Sequence, residues 1–314
     1  MLKNEKILLT GATGTLGKMI ACALAPYNEL WGLARYSGSA SLRVAQELGM
    51  RPVAIDLERP SFDQLPGDFT YLLHFAHTRR GADAFPESIQ VNAVGPGLLM
   101  QHCRAVKAAL IVSSSAVYTP PQDVWHPLNE RDPTGGAFAP WAPTSPVSKV
   151  SLEATARLAA EAFGIRTTIA RLNATYGSGR GMSGGGMPIA DMEAVAKGEP
   201  VRTFADPYPH SPIHFDDMID HIEPLLAAAS VPATTVNWCG DEVVTQRQWC
   251  ELAGSLSTRT PKLIVGHVPG APCGNIADAT LRRSITGPCK RQFTESFTAL
   301  YAAFVSEQSA TEPG

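Results

Sequence analysis

The segment Thr10-Gly11-Ala12-Thr13-Gly14-Thr15-Leu16-Gly17 follows the apolar run Ile7-Leu8-Leu9 and opens an amphipathic stretch. Glycines at this spacing, between a strand and a helix, leave few folds open. Gly11 permits the tight turn, Gly14 lets the backbone approach a pyrophosphate, and Gly17 lets the helix sit close on the strand. The phosphates then meet the helix N-terminus, where unpaired N–H groups and the helix dipole favour negative charge. The pattern predicts a dinucleotide-binding turn with Gly11, Thr13, Gly14, Thr15, Leu16 and Gly17 at the cofactor.

The rest of the first half agrees with such a unit. Strands are predicted at Ile7–Leu9, Leu30–Ala34, Pro52–Ile55, Tyr71–Phe75, Leu110–Ser113 and Thr167–Leu172, and helices near Leu16–Ala25, Ser41–Leu48, Ile89–Val106 and Val147–Phe163. Continuous apolar strands separated by helices argue for a parallel sheet covered on both faces. The expected fold is therefore α/β, a doubly wound parallel sheet of the Rossmann type, with ligand at the carboxyl ends of the strands. A smaller mixed α/β C-terminal region would bind substrate. Residues 1–175 form the dinucleotide-binding domain, with 212–241 returning to it; 176–211 and 242–305 form the substrate region. The glycine-rich stretch after Tyr176 reads as a substrate lid or a surface loop. A helix is predicted near Phe293–Phe304, and 306–314 is expected to be a flexible tail.

With 314 residues, 44% of them hydrophobic, the chain can bury a sizeable core. Its net charge of −3, with scattered Lys and Arg, gives no basic patch for nucleic acid or an anionic membrane. No apolar stretch reaches the roughly 20 residues of a membrane span. No secretory signal fits before the first strand. The six cysteines are dispersed without a Cys-x-x-Cys pair and read as reduced thiols, so a cytoplasmic setting is expected. No metal site is expected: His74 and His77 are three apart but have no neighbouring ligand set.

The end of the second strand bears on the nucleotide. An acidic residue there would meet the ribose hydroxyls of NAD, but this chain reads Gly32-Leu33-Ala34-Arg35-Tyr36-Ser37. The guanidinium of Arg35 can grip a 2′-phosphate and stack on adenine; otherwise it is a surface arginine. With the acid absent, NADP(H) is the preferred expectation, with NAD(H) possible.

Further motifs appear in a fixed order: Asp56-Leu57, His74-Phe75-Ala76-His77, Gln90-Val91-Asn92, Ser113-Ser114-Ser115-Ala116-Val117-Tyr118, Ser148-Lys149 with Glu153, Arg171-Leu172, Tyr176-Gly177 and Ile213-His214-Phe215-Asp216-Asp217. Through them the chain resembles the extended short-chain dehydrogenase/reductase family, which contains nucleotide-sugar epimerases and dehydratases. The resemblance implies that Asp56 and Leu57 meet adenine, and that Phe75, Ala76, His77, Asn92 and Leu172 line the cofactor. It implies that Ser114 sits beside the reacting carbonyl and that Lys149 binds the nicotinamide ribose. It also implies a homodimer through helices around residues 88–106 and 147–163.

The chain departs from the family in one decisive place. Four residues before Lys149, where the family carries its proton-exchanging tyrosine, stands Ser145, followed by Pro146. Ser then Pro is a helix cap followed by the first helical residue. A Ser145–Lys149 nucleophile pair, four apart on a helix, is the other reading. Ser114, Lys149, Tyr118 and Asn173 are the catalytic candidates, Asn173 being either near the nicotinamide or a backbone-capping side chain. The missing proton donor would be replaced by Ser114 with Lys149, a nearby histidine (His77 or His210), Tyr118 or bound water. Two donors that nucleotide-sugar members use for the diphosphate are also replaced, by His210 and Ala174. The expectation is therefore an NADP(H)-dependent oxidoreductase acting on a small non-nucleotide carbonyl or alcohol, its only other partner a second copy of itself. The alternatives are a redox-neutral isomerase, epimerase or lyase, and a non-catalytic NADP(H)-binding sensor.

Overall fold

A computed structural model describes residues 1–177 and 186–311. The glycine-rich stretch read as lid or loop falls mostly on 178–185 and lies outside the described residues, as do 312–314. Contacts divide the chain into two compact units. One comprises Met1–Val117, Ala139–Arg171 and Ile219–Val236; the other comprises Tyr118–Phe138, Leu172–Met218 and Asn237–Gly314.

The first unit is built on β1 (Lys6–Thr10), α1 (Thr15–Leu24), β2 (Glu29–Ala34), α2 (Ser39–Glu47), β3 (Arg51–Ala54), β4 (Tyr71–His74), α3 (Phe85–Ile89), α4 (Gly95–His102), β5 (Ala108–Ser114), α5 (Ser145–Phe163) and β6 (Thr167–Leu172). The seven-stranded sheet runs β11-β6-β5-β4-β1-β2-β3, with β11 at Thr234–Trp238. Strands β3, β2, β1, β4 and β5 pair in parallel along it. The order reverses between β1 and β4, which places a crevice at their carboxyl ends. Leu8, Leu33, Leu72, Ile111 and Ile169 carry the sheet side of the core, and Leu99, Leu152 and Ala156 the helix side. Both sheet faces are covered, as the uninterrupted apolar strands require. The parallel doubly wound expectation thus holds.

The helix predicted over Ile89–Val106 is divided. Between α3 and α4 the chain makes a π-helical turn, Gln90–Val94, in which the Gly95 N–H donates to Gln90 O, five residues back. Pro96 follows, has no N–H and cannot continue an α-helical ladder, so the backbone widens before it. Asn92, fully buried in that turn, accepts from Thr78 N at 2.8 Å and donates to Thr78 O at 2.9 Å and Ser148 Oγ at 3.0 Å.

The second unit holds β7 (Thr175–Tyr176), α6 (Met187–Lys197), β8 (Val201–Thr203), β9 (Pro209–His210), β10 (Ile213–His214), β12 (Val244–Thr245), α8 (Gln246–Ser257), β13 (Leu263–Val265), α9 (Thr280–Thr286) and α10 (Phe293–Thr311). Helix α7 (Phe215–Ala227) starts in the last residues of the second unit's middle segment and continues in the first unit. Short strand pairs β7–β10, β9–β12 and β8–β13 brace the second unit. Its core stacks Tyr176, Trp249, Phe293 and Phe297. The tail from Ser306, expected to fray, is helical through Thr311, with the Ser306 hydroxyl bonded back to Ala302 O at 2.9 Å. All six cysteines are free thiols. Among the described residues, no helix is long and apolar enough to cross a membrane.

One buried ion pair joins α5 to the sheet. Arg171 on β6 donates from Nε to Glu153 Oε1 at 2.9 Å and from Nη2 to Oε2 at 2.8 Å, and Ser113 Oγ donates to the same Oε1 at 2.7 Å. Both charged residues are about 5% exposed, so removing one strands the other out of water. Glu153→Gln is expected to lower unfolding stability by about 3–5 kcal/mol, read by urea denaturation; a loss under about 1 kcal/mol would refute this account of the pair.

Candidate active site

The first unit gathers most of the predicted cofactor residues at the crevice. Thr10 ends β1 with a buried hydroxyl that accepts from Phe75 N and Ala76 N, both at 3.1 Å, and bonds His74 Nδ1 at 2.9 Å. Gly11 then turns with φ +72°, and a Cβ there would meet Ala76 N at 2.9 Å. A Cβ on Gly17 would lie 2.2 Å from Gly11 O. Gly14 starts α1 without a side-chain cap, so the first-turn N–H groups of Thr15, Leu16 and Gly17 are left for an anion. This cradle, too tight for side chains yet rich in N–H groups, fits a dinucleotide pyrophosphate.

The flanking residues extend the cradle. Arg35 stands exposed beyond β2, followed by Tyr36 at φ +43°, whose hydroxyl donates to Gly32 O at 2.9 Å. Asp56 is exposed after β3, and Leu57 beside it is buried. Ser114 ends β5; its hydroxyl accepts from Ala116 N at 3.1 Å and keeps its own proton for donation. Lys149, on α5, is 5% exposed and donates to Val112 O at 2.6 Å. Burial pulls its pKa from the usual 10.5 down to about 7, with Glu153 opposing and Arg79 reinforcing the fall.

Ser145 corrects the sequence reading. It is the first helical residue of α5; the cap position belongs to Thr144, and Pro146 follows inside the first turn. Thr144 does not cap through its side chain either: its hydroxyl donates to Arg80 O and accepts from Ser88 Oγ, both at 3.1 Å. The Ser145 hydroxyl instead lies 2.7 Å from His77 Nε2. Burial, then Lys149, Arg79 and His74, hold the His77 pKa down near 2, against a small upward pull from the Asn92 amide. His77 is therefore neutral at physiological pH. Spacing alone could not reveal this pair, because 68 residues separate its members.

Tyr118, Asn173 and Leu172 fall in the second unit. The Tyr118 hydroxyl donates to Asn237 Oδ1 at 2.6 Å and is 2% exposed. Asn173 donates to Asn275 O at 2.9 Å and accepts from Ala174 N at 2.8 Å and Ser211 N at 3.2 Å. Its amide braces the backbone, one of the two roles considered for it. His210 is likewise a packing residue. It is 7% exposed, between Tyr208 (centroids 4.6 Å apart) and Trp249 (5.8 Å).

The profile of the NAD dependent epimerase/dehydratase family matches residues 7–237. UDP-glucose 4-epimerase of Mus musculus is 27% identical over 236 residues, covering 65% of this chain and 66% of the relative. UDP-glucose 4-epimerase of Bos taurus is 32% identical over 161 residues, 44% of each. The chain thus spans less than two thirds of the length of these curated relatives. Two solved structures share the fold at 19% identity. UDP-N-acetylglucosamine 4-epimerase from Methanobrevibacter ruminantium M1 superposes with a TM-score of 0.80 over 98% of this chain and 100% of its own. UDP-glucuronic acid 4-epimerase from Bacillus cereus, in complex with UDP-glucuronic acid and NAD, gives 0.78 over 96% and 99%.

These likenesses overturn the expectation of an oxidoreductase for a small non-nucleotide carbonyl, and the matching expectation about its partner. The relatives are named for epimerising UDP-sugars. That expectation followed from the donors replaced by His210 and Ala174. In this chain His210 fills an aromatic cluster, so its side chain does not report on what a diphosphate would meet.

The depressed pKa of Lys149 predicts a pH signature. Its folded value lies below the unfolded one, so between about pH 7 and 10.5 the unfolded chain holds the extra proton and stability rises with pH. Lys149→Met is expected to raise the melting temperature of the cofactor-free protein most at pH 7 and below. The gain, on the order of a few kcal/mol, should shrink toward pH 10. A pH-independent difference in thermal unfolding would rule out a strained ammonium.

Proposed function

Because the chain belongs to the NAD dependent epimerase/dehydratase family, we propose that it is a nicotinamide-dependent epimerase acting on a nucleotide sugar. The observation that carries this reading is the buried Lys149, held against β5 in the same unit as the glycine turn. When bound, the nicotinamide supplies a reversible hydride acceptor, so a carbinol carbon can be oxidised and reduced again with inverted configuration and no net redox. The residues of this chain do the rest. The Gly11–Gly17 turn and the open end of α1 hold the pyrophosphate. Asp56 and Leu57 flank the adenine ribose and ring. Lys149 holds the nicotinamide ribose, and Ser114 donates to the sugar oxygen as charge develops there.

The chain is an atypical member in this reading, because Ser145 stands where the family resemblance expects a tyrosine. Between the two nicotinamide dinucleotides, Arg35 without a neighbouring acid favours the 2′-phosphorylated form. The cytoplasmic setting rests on the free thiols. A homodimer through α4 and α5 is supported by the solvent-facing Leu98 and Val147 and by Leu158, which is 70% exposed.

Incubation with UDP-glucose, UDP-N-acetylglucosamine or UDP-glucuronic acid tests the reading. The expected outcome is the 4-epimer of at least one sugar at catalytic cofactor, with no net nicotinamide reduction at 340 nm (a wavelength of the assay, about where reduced nicotinamide absorbs). Stoichiometric reduction with release of a ketone would overturn it. In cofactor titrations, Arg35→Ala is expected to weaken NADP(H) binding by about 1.5–3 kcal/mol and leave NAD(H) unchanged. Tighter binding of NAD(H) by the unmodified protein would refute the preference.

A further inference from the structure

An epimerase without a phenol before Lys149 still has to move a hydroxyl proton each time hydride moves. The groups in the first unit that could do so are Ser114, Lys149 and the Ser145–His77 pair. Ser114 is suited to donating a hydrogen bond at the end of β5, and the Lys149 ammonium is already engaged by Val112 O. The Ser145–His77 bond, at 2.7 Å, is of a different kind. Ser145 lies four residues before Lys149, hence on the same face of α5, one turn nearer its start.

The bond is not needed as a latch. The loop after β4 is already tied to α5 and its entrance by other contacts. Asn92 holds both Thr78 and Ser148, and Thr144 holds Arg80 O. Nor does the Ser145 hydroxyl cap the helix. Both residues keep part of their surface accessible, unlike the fully buried His74 one turn of chain before.

We propose that Ser145 and His77 form the proton-transfer pair of the reaction, with Ser145 Oγ touching the sugar hydroxyl and His77 Nε2 behind it. The inference rests on the epimerase reading above. In the oxidative half, the sugar O–H bond breaks as an Oγ–H bond forms, and the original Ser145 proton passes to His77 Nε2. The carbon-bound hydrogen leaves with its electron pair for the nicotinamide, and the C–O bond becomes C=O. For the reductive half the ketone must present its opposite face to the hydride. The proton then returns from His77 Nε2 through Ser145 Oγ to the sugar oxygen, so serine and imidazole are restored and the carbon is inverted.

The surroundings of His77 suit this cycle. Lys149, Arg79 and His74 face the imidazole, and the Asn92 amide lies beside it. Burial, then the charges of Lys149 and Arg79, keep it neutral at rest, so Nε2 can accept from Ser145. A second positive charge beside Lys149 is costly, so the protonated state returns its proton readily.

The test uses the full chain with UDP-glucose, UDP-N-acetylglucosamine and UDP-glucuronic acid as probes. Ser145→Ala and His77→Gln are expected to lower kcat by about 100-fold or more, with KM and cofactor affinity nearly unchanged. Ser145→Thr, which keeps the hydroxyl, should retain most of the activity, and added imidazole should partly rescue His77→Gly. Independently of turnover, nitrogen NMR of the cofactor-free protein should show His77 Nε2 unprotonated at pH 7 and its resonance moved by Ser145→Ala. An active protein whose kcat survives both substitutions overturns the pair while leaving the epimerase reading intact. A protonated Nε2 at rest overturns the pair by itself. An unmodified protein that epimerises none of the probes brings down the epimerase reading, and this inference with it.

Discussion

The hydroxyl of Thr10 is the contact on which the first unit turns. It sits fully buried at the end of β1 and collects the N–H groups of Phe75 and Ala76 and the Nδ1 of His74. Those groups end β4, the strand across the point where the sheet order reverses. Without the hydroxyl, two half-buried backbone donors would lose this acceptor. With it, the two strand ends are drawn so close that position 11 has no room for a Cβ. The glycine of the turn, the width of the crevice and the placement of His77 just beyond Ala76 are consequences of this one side chain.

Helix α5 is the second half of that construction. Glu153 is fixed from below by Arg171 and Ser113. One turn earlier, Lys149 reaches β5, and one turn earlier still, Ser145 meets His77. A carboxylate, an ammonium and a hydroxyl therefore follow one another along a single helix face toward its start. The buried carboxylate offsets part of the cost of holding the ammonium out of water. The proton pair proposed for Ser145 thus stands at the end of a column whose lower members are structural.

Much of this was legible from local pattern. Thr167–Leu172 is a strand over the span its apolar run predicts, and the glycine turn sits between β1 and α1. Such features depend on neighbours a few residues away. What escaped the sequence depends on distant partners or on a choice between equivalent options. Ser145 before Pro146 reads equally well as cap or as first helical residue; only His77, 68 positions upstream, decides how its hydroxyl is used. His210 looked like a lost phosphate donor because nothing local announces Tyr208 and Trp249 stacking round it. The tail from Ser306 looked too polar to hold, but residues 306–311 include neither glycine nor proline; the first breaker is Pro313. The preceding helix therefore runs on to Thr311.

The π-helical turn at Gln90–Val94 has a bearing on how this chain can change over generations. A turn closed by Gly95 and Gln90, five apart, contains a residue more than an α-helix needs to cover the same ground. Loss of any single codon there would remove the surplus residue and bring the two flanking helices into one α-helical register, with Pro96 still leaving a gap in the ladder. It would also rotate everything before the deletion by about 100° about the helix axis. Ser88 would swing away from Thr144, and the bulged Asn92 could no longer face Thr78 and Ser148 together. The surplus residue is thus a phase setting. It protects a register that an ordinary helix would lose, and it makes this stretch tolerant of substitution on its outer face yet intolerant of any change in length.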